Sequence, residues 1–272
     1  MAHTTGKEGA VAKHVYFDFD QTISRIHVFK QLAGWEPGVA PPHSQSERGQ
    51  IHRLKMLNDA GQYVYSASSG HVVACPPGAP GGGSWTSGAL GGLQRVEELR
   101  SFFSGLKASG AKVSIITKGN VGACRYLMEH EGLLHFFENV FGMVGQFYGE
   151  SEYDKANQEP SPLEGTVENE LRDSKADLIR SLMAKEGLAE SEGVLVEDDP
   201  AEIASVAEVC RSVFVSDRKG MTARELDELR KLVGAASTAT SKPVGPPPGV
   251  PGPPPGNHRC SYILTINKLI MK

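Results

Sequence analysis

Apolar and polar positions along this chain follow two rhythms, and the alternation between them sets out most of the architecture. "HVYFDF" (14–19) is a short apolar run that reads as a buried strand. "LQRVEELRSFFSGLKASG" repeats its apolar residues at helical spacing and predicts a helix over 93–107, stopped by Gly110. "KVSIIT" predicts a strand ending at Thr117, "NVGACRYLMEHEGL" a helix with Asn120 at its N-cap, and "FENVFGM" a further strand. Beyond a polar stretch, "SKADLIRSLMAKEGL" predicts a helix capped by Asp173 or Ser174 and stopped by Gly187. Then follow the strand "GVLVED", the helix "PAEIASVAEV" with Pro200 in its first turn, the strand "SVFVS" and a helix from Thr222. Strands that alternate with helices in this way predict an α/β fold.

The expected class is a Rossmann-like three-layer sandwich with a mostly parallel central sheet, an irregular insertion after the first strand and a disordered, Pro-rich C-terminal tail. Residues 1–13 are small and polar and read as a disordered lead, and 14–234 as the folded domain. Inside the domain, 25–92 form an insertion that is either a cap or a set of loops, with a helical pattern only over 46–60. Within it, residues 76–93, "PPGAPGGGSWTSGALGGL", are too rich in glycine and proline for helix or strand and read as a flexible loop. A second, acidic insertion spans 146–172. Residues 235–272 form the Pro/Gly-rich tail, whose "PPPGVPGPPPG" is expected to be extended polyproline.

Composition narrows the partners. With 272 residues and 39% hydrophobic content the chain can bury a full core. A formal net charge of −4 gives no electrostatic footprint for nucleic acid or an anionic membrane, so small or neutral partners are expected. The four cysteines, Cys75, Cys124, Cys210 and Cys260, are widely spaced and form no C-x-x-C pair, which argues against a zinc site or a disulfide framework. No signal-peptide pattern opens the sequence and no run of about 18 apolar residues occurs, so a cytoplasmic, non-membrane protein is expected.

The candidate chemistry sits at the ends of three predicted strands. Asp18 and Asp20 close the first, Thr117 the second, and Glu197, Asp198 and Asp199 a later one. In an open α/β sheet, ligands bind outside the carboxyl ends of the strands. Residues two apart on an extended chain face the same side, so Asp18 and Asp20 share one small site while Phe19 faces away. Two carboxylates that close repel unless a cation sits between them, and magnesium, a hard ion held by one or two carboxylates, suits the position. Taken singly, each feature has an ordinary structural use, as a turn, a helix cap or a solvated charge. Their occurrence together and in order, with Lys175 leading a helix before the "EDD" strand end, is what calls for a common role.

The set resembles the haloacid dehalogenase superfamily of phosphohydrolases over roughly residues 14 to 233. "VYFDFDQTIS" resembles its first motif, "VSIITKGN" its second, Lys175 in "RDSKADLIRSLM" its third and "VLVEDDP" its fourth. The resemblance implies that Asp18 is a nucleophile forming an aspartyl-phosphate and Asp20 the general acid and base. It implies Mg2+ held by the Asp18 carboxylate, the Asp20 main-chain carbonyl and Asp198. Either Glu197 or Asp199 would accompany Asp198, with Asp199 favoured because Glu197 continues the alternation of the strand. Thr117 would bond a phosphate oxygen, Lys175 would neutralise Asp18 and the phosphoryl group, and backbone N–H groups after Asp18 and at Gly119 would complete the cradle. An acid at Asp20 favours phosphoester hydrolysis over dehalogenation, because a departing halide needs no proton. Gln21 departs from the pattern, standing where glycine or asparagine is common.

Substrate size and partners follow from the insertions and the tail. Neither insertion resembles a full cap, and a site with so little cover could admit a large substrate, a phosphoprotein or a polynucleotide end; the expected substrate is a phosphorylated small molecule or a phosphoprotein. Arg25, His27 and Lys30, just past the first motif, are candidate substrate contacts or simply a solvated basic face. In the alternative reading, the domain is catalytically silent and the polyproline tail recruits SH3, WW or profilin-like partners. Beyond the polyproline, "SYILTINKLIMK" is apolar but too short to span a bilayer.

Overall fold

The computed structural model describes residues 10–76, 78 and 80–235. At its centre, β1 (His14–Phe17), β4 (Lys112–Asn120), β5 (Asn139–Met143), β6 (Gly193–Glu197) and β7 (Arg211–Phe214) form one sheet. The strand order is β5-β4-β1-β6-β7, and every neighbouring pair is parallel. Each parallel step needs a crossover, and the apolar periodicities supply it in α4 (Leu93–Ala108), α5 (Val121–His130), α7 (Lys175–Glu186) and α8 (Pro200–Ser205), with α9 (Ala223–Leu232) packing back after β7. Two hydrophobic layers result, which is the expected three-layer sandwich. Val15 and Phe17 of β1 join residues of α4, α5 and α9 on one face, with Phe17 edge-on to Phe103 at 5.5 Å. Tyr16 points the other way, into the layer completed by Ile179 and Met183 of α7. Full burial of side chains of this size contributes about 1.5–3 kcal/mol each, so β1, apolar on both faces, anchors the whole sheet.

The strand order reverses at β1. The chain passes from β1 to β4 and β5 on one side, then returns to β6 and β7 on the other. Loops leaving the carboxyl ends of β1, β4 and β6 therefore diverge and leave a crevice between them. Phe17 pairs with both Ile115 and Val196, so Asp18, Thr117 within β4 and Glu197 lie close to one level.

The insertion after β1 is more regular than expected. It contains α1 (Val28–Ala33), α2 (Glu47–Asp59), an antiparallel hairpin of β2 (Gln62–Ser66) and β3 (His71–Cys75), and α3 (Trp85–Leu90). The pattern over 46–60 corresponds to α2 with Ser46 at its cap. The reading of 76–93 as a flexible loop is corrected: α3 lies inside it, with Trp85 and Leu90 fully buried. Two glycines allow this. A side chain at Gly88 would collide with Val72 of β3, its Cβ falling 2.8 Å from Val72 Cγ1, and Gly91 ends α3 at φ 110°. The helix therefore needs residues that pattern reading treats as breakers.

Two buried carboxylates fasten the insertions to the core. Glu47 accepts N–H bonds from Gly122 (2.6 Å), Gly145 (2.8 Å) and Gly165 (2.8 Å). The start of α5 is thus capped by α2; Asn120 occupies the expected N-cap position, but its amide donates instead to the Gln45 carbonyl and Gln50. Asp154, in α6 (Glu152–Ala156) of the acidic insertion, accepts from the Ser44 hydroxyl (2.6 Å), Gln45 N (3.0 Å), Ser46 N (3.3 Å) and Ser151 N (2.7 Å). Burial pushes the Asp154 carboxyl up, but these donors outweigh it and hold it below the usual carboxylate range.

Other helix ends follow the sequence. Ser174 caps α7 and Gly187 ends it in the left-handed conformation, while Thr222 and Glu225 form a capping box on α9. α8 is shorter than the run that predicted it, ending at Ser205. The lead reading extends too far, since Ala12 is buried and donates to the Leu232 carbonyl. Cys124 is buried, and burial pushes its thiol well above the usual range. The polyproline tail and its proposed partners lie outside the described residues. Among the described residues, no helix is long and apolar enough to cross a membrane.

Candidate active site

The crevice at the reversal of strand order is an open cleft of about 250 Å³. Asp18, Asp20, Thr117, Lys175, Glu197, Asp198 and Asp199, far apart in sequence, all line it. Lys175, the first residue of α7, is 2% exposed and donates to Asp18 Oδ1 and to Glu197 Oε2, both at 2.6 Å. A lysine at a helix start opposes the macrodipole, and the two carboxylates supply the compensation. Burial pulls the Lys175 ammonium down, but its two partners raise it further, so it stays charged. Burial pushes both Asp18 and Glu197 up; against the pull of Lys175, the charges of Asp20 and Asp198 add to it at Asp18, and that of Asp18 adds to it at Glu197.

Asp20 is held separately. Its Oδ1 accepts the N–H of Val28, the first residue of α1, at 2.6 Å, and its Oδ2 lies 3.0 Å from His27 Nδ1. Burial lowers the affinity of His27 for a proton, yet Asp20 outweighs that and shifts it upward. Between β1 and α1 the backbone makes a tight excursion in which Gln21 adopts φ 62°. That left-handed conformation is easy for glycine and tolerable for asparagine, and costs more for glutamine. The excursion is tied down by Gly220 N to the Gln21 carbonyl and Met221 N to the Thr22 carbonyl, both at 2.8 Å.

Among the described residues, Asp18, Glu197 and Asp198 form the group whose carboxylate oxygens converge within 4.8 Å of one another, all buried. Asp199, favoured in the sequence as the partner of Asp198, turns away. It precedes Pro200 and caps α8, accepting the N–H of Ala201 at 2.9 Å, as an acid before a helix-starting proline does. Glu197, the other candidate, has both oxygens engaged: Oε2 with Lys175, and Oε1 with the N–H groups of Asp198 (3.1 Å) and Asp199 (3.2 Å). Its arrangement suits a group that positions Lys175. The donor set fits Mg2+: several buried acids face one buried lysine, an excess of negative charge that a hard, oxygen-seeking cation relieves. Asp18 and Asp198 would hold it, with the Asp20 carbonyl.

Thr117 is buried, and its hydroxyl accepts the N–H of Gly119 at 2.9 Å, so that the Gly119 donor expected to complete an anion cradle is already used. Of the three basic residues after the first motif, His27 and Lys30 line the cleft, whereas Arg25 packs over the ring of Tyr65 at 5.9 Å. Sequence reading missed Arg218, which binds Asp198 Oδ2 at 2.8 Å from a loop 20 residues on, and the aromatic residues Phe29, Trp35 and Tyr148. No periodicity marks them; the "FKQLAGW" run offered the only hint of apolar residues beside the first motif.

No protein-family model matches the chain, and no curated protein matches it. Solved structures do. A haloacid dehalogenase-like hydrolase from Streptococcus pneumoniae is 16% identical, over 80% of this chain and 91% of its own, with a TM-score of 0.34. A HAD-superfamily hydrolase from Ehrlichia chaffeensis is 13% identical over 83% and 100% of the two chains, with a TM-score of 0.39. A phosphoserine phosphatase, captured as a phospho-aspartyl intermediate analogue, is 15% identical over 82% and 100%, with a TM-score of 0.41.

Proposed function

We propose that this protein is a magnesium-dependent phosphoester hydrolase that works through an aspartyl-phosphate on Asp18. The observation that carries the reading is the division of labour between two carboxylates of one cleft. Asp18 is bound to a buried ammonium, while Asp20, two residues on, is bound to a backbone N–H and a histidine. A nucleophile and an acid/base need such separate settings.

In this reading Lys175 neutralises charge as Asp18 Oδ2, the oxygen that Lys175 leaves free, attacks phosphorus. The bond from phosphorus to the ester oxygen breaks, and Asp20 delivers a proton to that oxygen so that it leaves as an alcohol. Asp20, now a base, takes a proton from water as the water attacks phosphorus; the bond to Asp18 breaks and inorganic phosphate departs. Thr117 contributes a hydroxyl to the phosphoryl oxygens, and Glu197 keeps Lys175 aimed at Asp18. Bound Mg2+ would let an anionic nucleophile approach an anionic phosphate.

The test is hydrolysis of p-nitrophenyl phosphate by the full chain with and without Mg2+, for wild type and Asp18→Asn. Metal-dependent release that vanishes in the variant is expected. Equal release by a folded Asp18→Asn protein would sink the assignment of the nucleophile.

A further inference from the structure

Beside the acids, the cleft carries an aromatic wall that the hydrolytic steps do not use. Phe29 of α1, Trp35 just after it and Tyr148 beyond β5 all line the cleft. The rings of Phe29 and Tyr148 lie 4.3 Å apart, and Trp35 meets Phe29 at 5.1 Å and Tyr148 at 5.6 Å with interplanar angles of 81° and 90°. These edge-to-face contacts fix the cluster yet leave Trp35 51% exposed, although an indole gains more than most side chains from being covered. Tyr148 is held further by its hydroxyl, which donates to the Lys118 carbonyl at 2.5 Å.

The wall begins on the acid/base side. Phe29 follows Val28, whose N–H holds Asp20, and a Cβ on Gly119 would meet Asp20 Oδ2 at 3.5 Å and Phe29 Cβ at 3.6 Å. The alcohol that Asp20 protonates must stand beside Asp20, and so beside these rings. A planar ring that stacks or packs edge-on gains about 0.5–1.5 kcal/mol beyond the area it buries, which an aliphatic group of the same bulk does not. The cleft, open and about 250 Å³ in volume, has room for a phosphate and one ring system.

We infer that the preferred substrates, granted the phosphohydrolase reading above, are small phosphomonoesters whose leaving group carries a planar ring, bound against Trp35 and Tyr148, which the buried Phe29 holds in place. The experiment has a binding arm and a turnover arm, both on the full chain loaded with Mg2+. Calorimetry compares benzylphosphonate with cyclohexylmethylphosphonate, which match in charge and bulk and cannot be hydrolysed. Turnover compares benzyl and cyclohexylmethyl phosphate, whose alcohols are of similar basicity, and adds a nucleoside 5′-monophosphate, in which a sugar separates ring from ester. The aromatic phosphonate should bind about three- to tenfold more tightly, the range that aromatic pairing supplies, and Trp35→Leu should bring the ratio toward one. The ring ester turned over faster identifies which spacing the wall serves. Equal binding of the two phosphonates, or a difference unchanged in both Trp35→Leu and Tyr148→Leu, overturns the wall as a substrate determinant even if every ester is hydrolysed. Ring-selective binding without turnover of any ester overturns the hydrolase premise instead, and the substrate assignment with it.

Discussion

Lys175 and Glu197 form a buried ion pair at 2.6 Å, and the same ammonium reaches Asp18 at 2.6 Å, so one helix start and two strand ends are locked together by a single side chain. Removing the cation leaves two buried acids without compensation. Lys175→Met is expected to lower stability by about 3–5 kcal/mol and to abolish turnover. Glu197→Gln keeps a hydrogen-bonding group and should remain folded, with turnover reduced on the order of 10- to 100-fold, the effect of losing a positioning partner. Urea denaturation beside initial rates checks both; full activity in folded Glu197→Gln would remove its role.

Asp198 separates metal binding from folding. It stands among acids but also binds Arg218 at 2.8 Å, so in the metal-free protein Asp198→Asn trades relieved repulsion against a lost ion pair and should move the thermal midpoint little. The same change should erase the rise in thermal midpoint that Mg2+ produces by binding the folded state. A thermal-shift series with EDTA and then Mg2+ reads both.

Gln21, at φ 62°, carries backbone strain of roughly 1–2 kcal/mol for a residue with a Cβ. Gln21→Gly removes that strain but adds about 0.4–1 kcal/mol of unfolded-chain entropy, leaving a net gain on the order of 0.5 kcal/mol. Gln21→Val should destabilise, since branching at Cβ makes the left-handed conformation harder still. The urea midpoints should rank Gly above Gln above Val.

Asp154 makes stability depend on pH in a known direction. Its folded carboxyl lies below the ordinary 3.8, so in that window the unfolded chain binds more protons. The stabilisation is complete above the unfolded value and is lost as pH falls through the folded one. Wild type should therefore lose stability more steeply than Asp154→Asn below about pH 4, measured as the difference between their urea midpoints. At neutral pH, Asp154→Ala should cost on the order of 3 kcal/mol, because several buried donors lose their acceptor.

Much of this molecule was legible because period and position coincide. The helices over 93–107 and from Thr222 and the strand ends at Asp18 and Glu197 follow from local pattern, although β4 runs past the expected end at Thr117 to Asn120, and the three strands meet because β1 has a neighbour from each half of the sheet. The sequence hid whatever depends on distant partners. α3 is unreadable in "GGGSWTSGAL" because its glycines answer to Val72 and to the turn at Gly91. Asp199 could not be separated from Glu197 by alternation, because the strand ends there and the following proline recruits Asp199 as a cap. Arg218 and the aromatic wall come from loops whose order along the chain says nothing of where they converge.

Glu47 gathers the amides of Gly122, Gly145 and Gly165, three glycines from separate stretches of chain, around one carboxylate. The segment between β1 and β4 is therefore no detachable lid to be exchanged for another as a unit; it is masonry, and α5 and both loops beyond β5 rest on it. The hairpin turn at 67–69, exposed and held by none of the Glu47 bonds, is where foreign sequence could be spliced in with little disturbance.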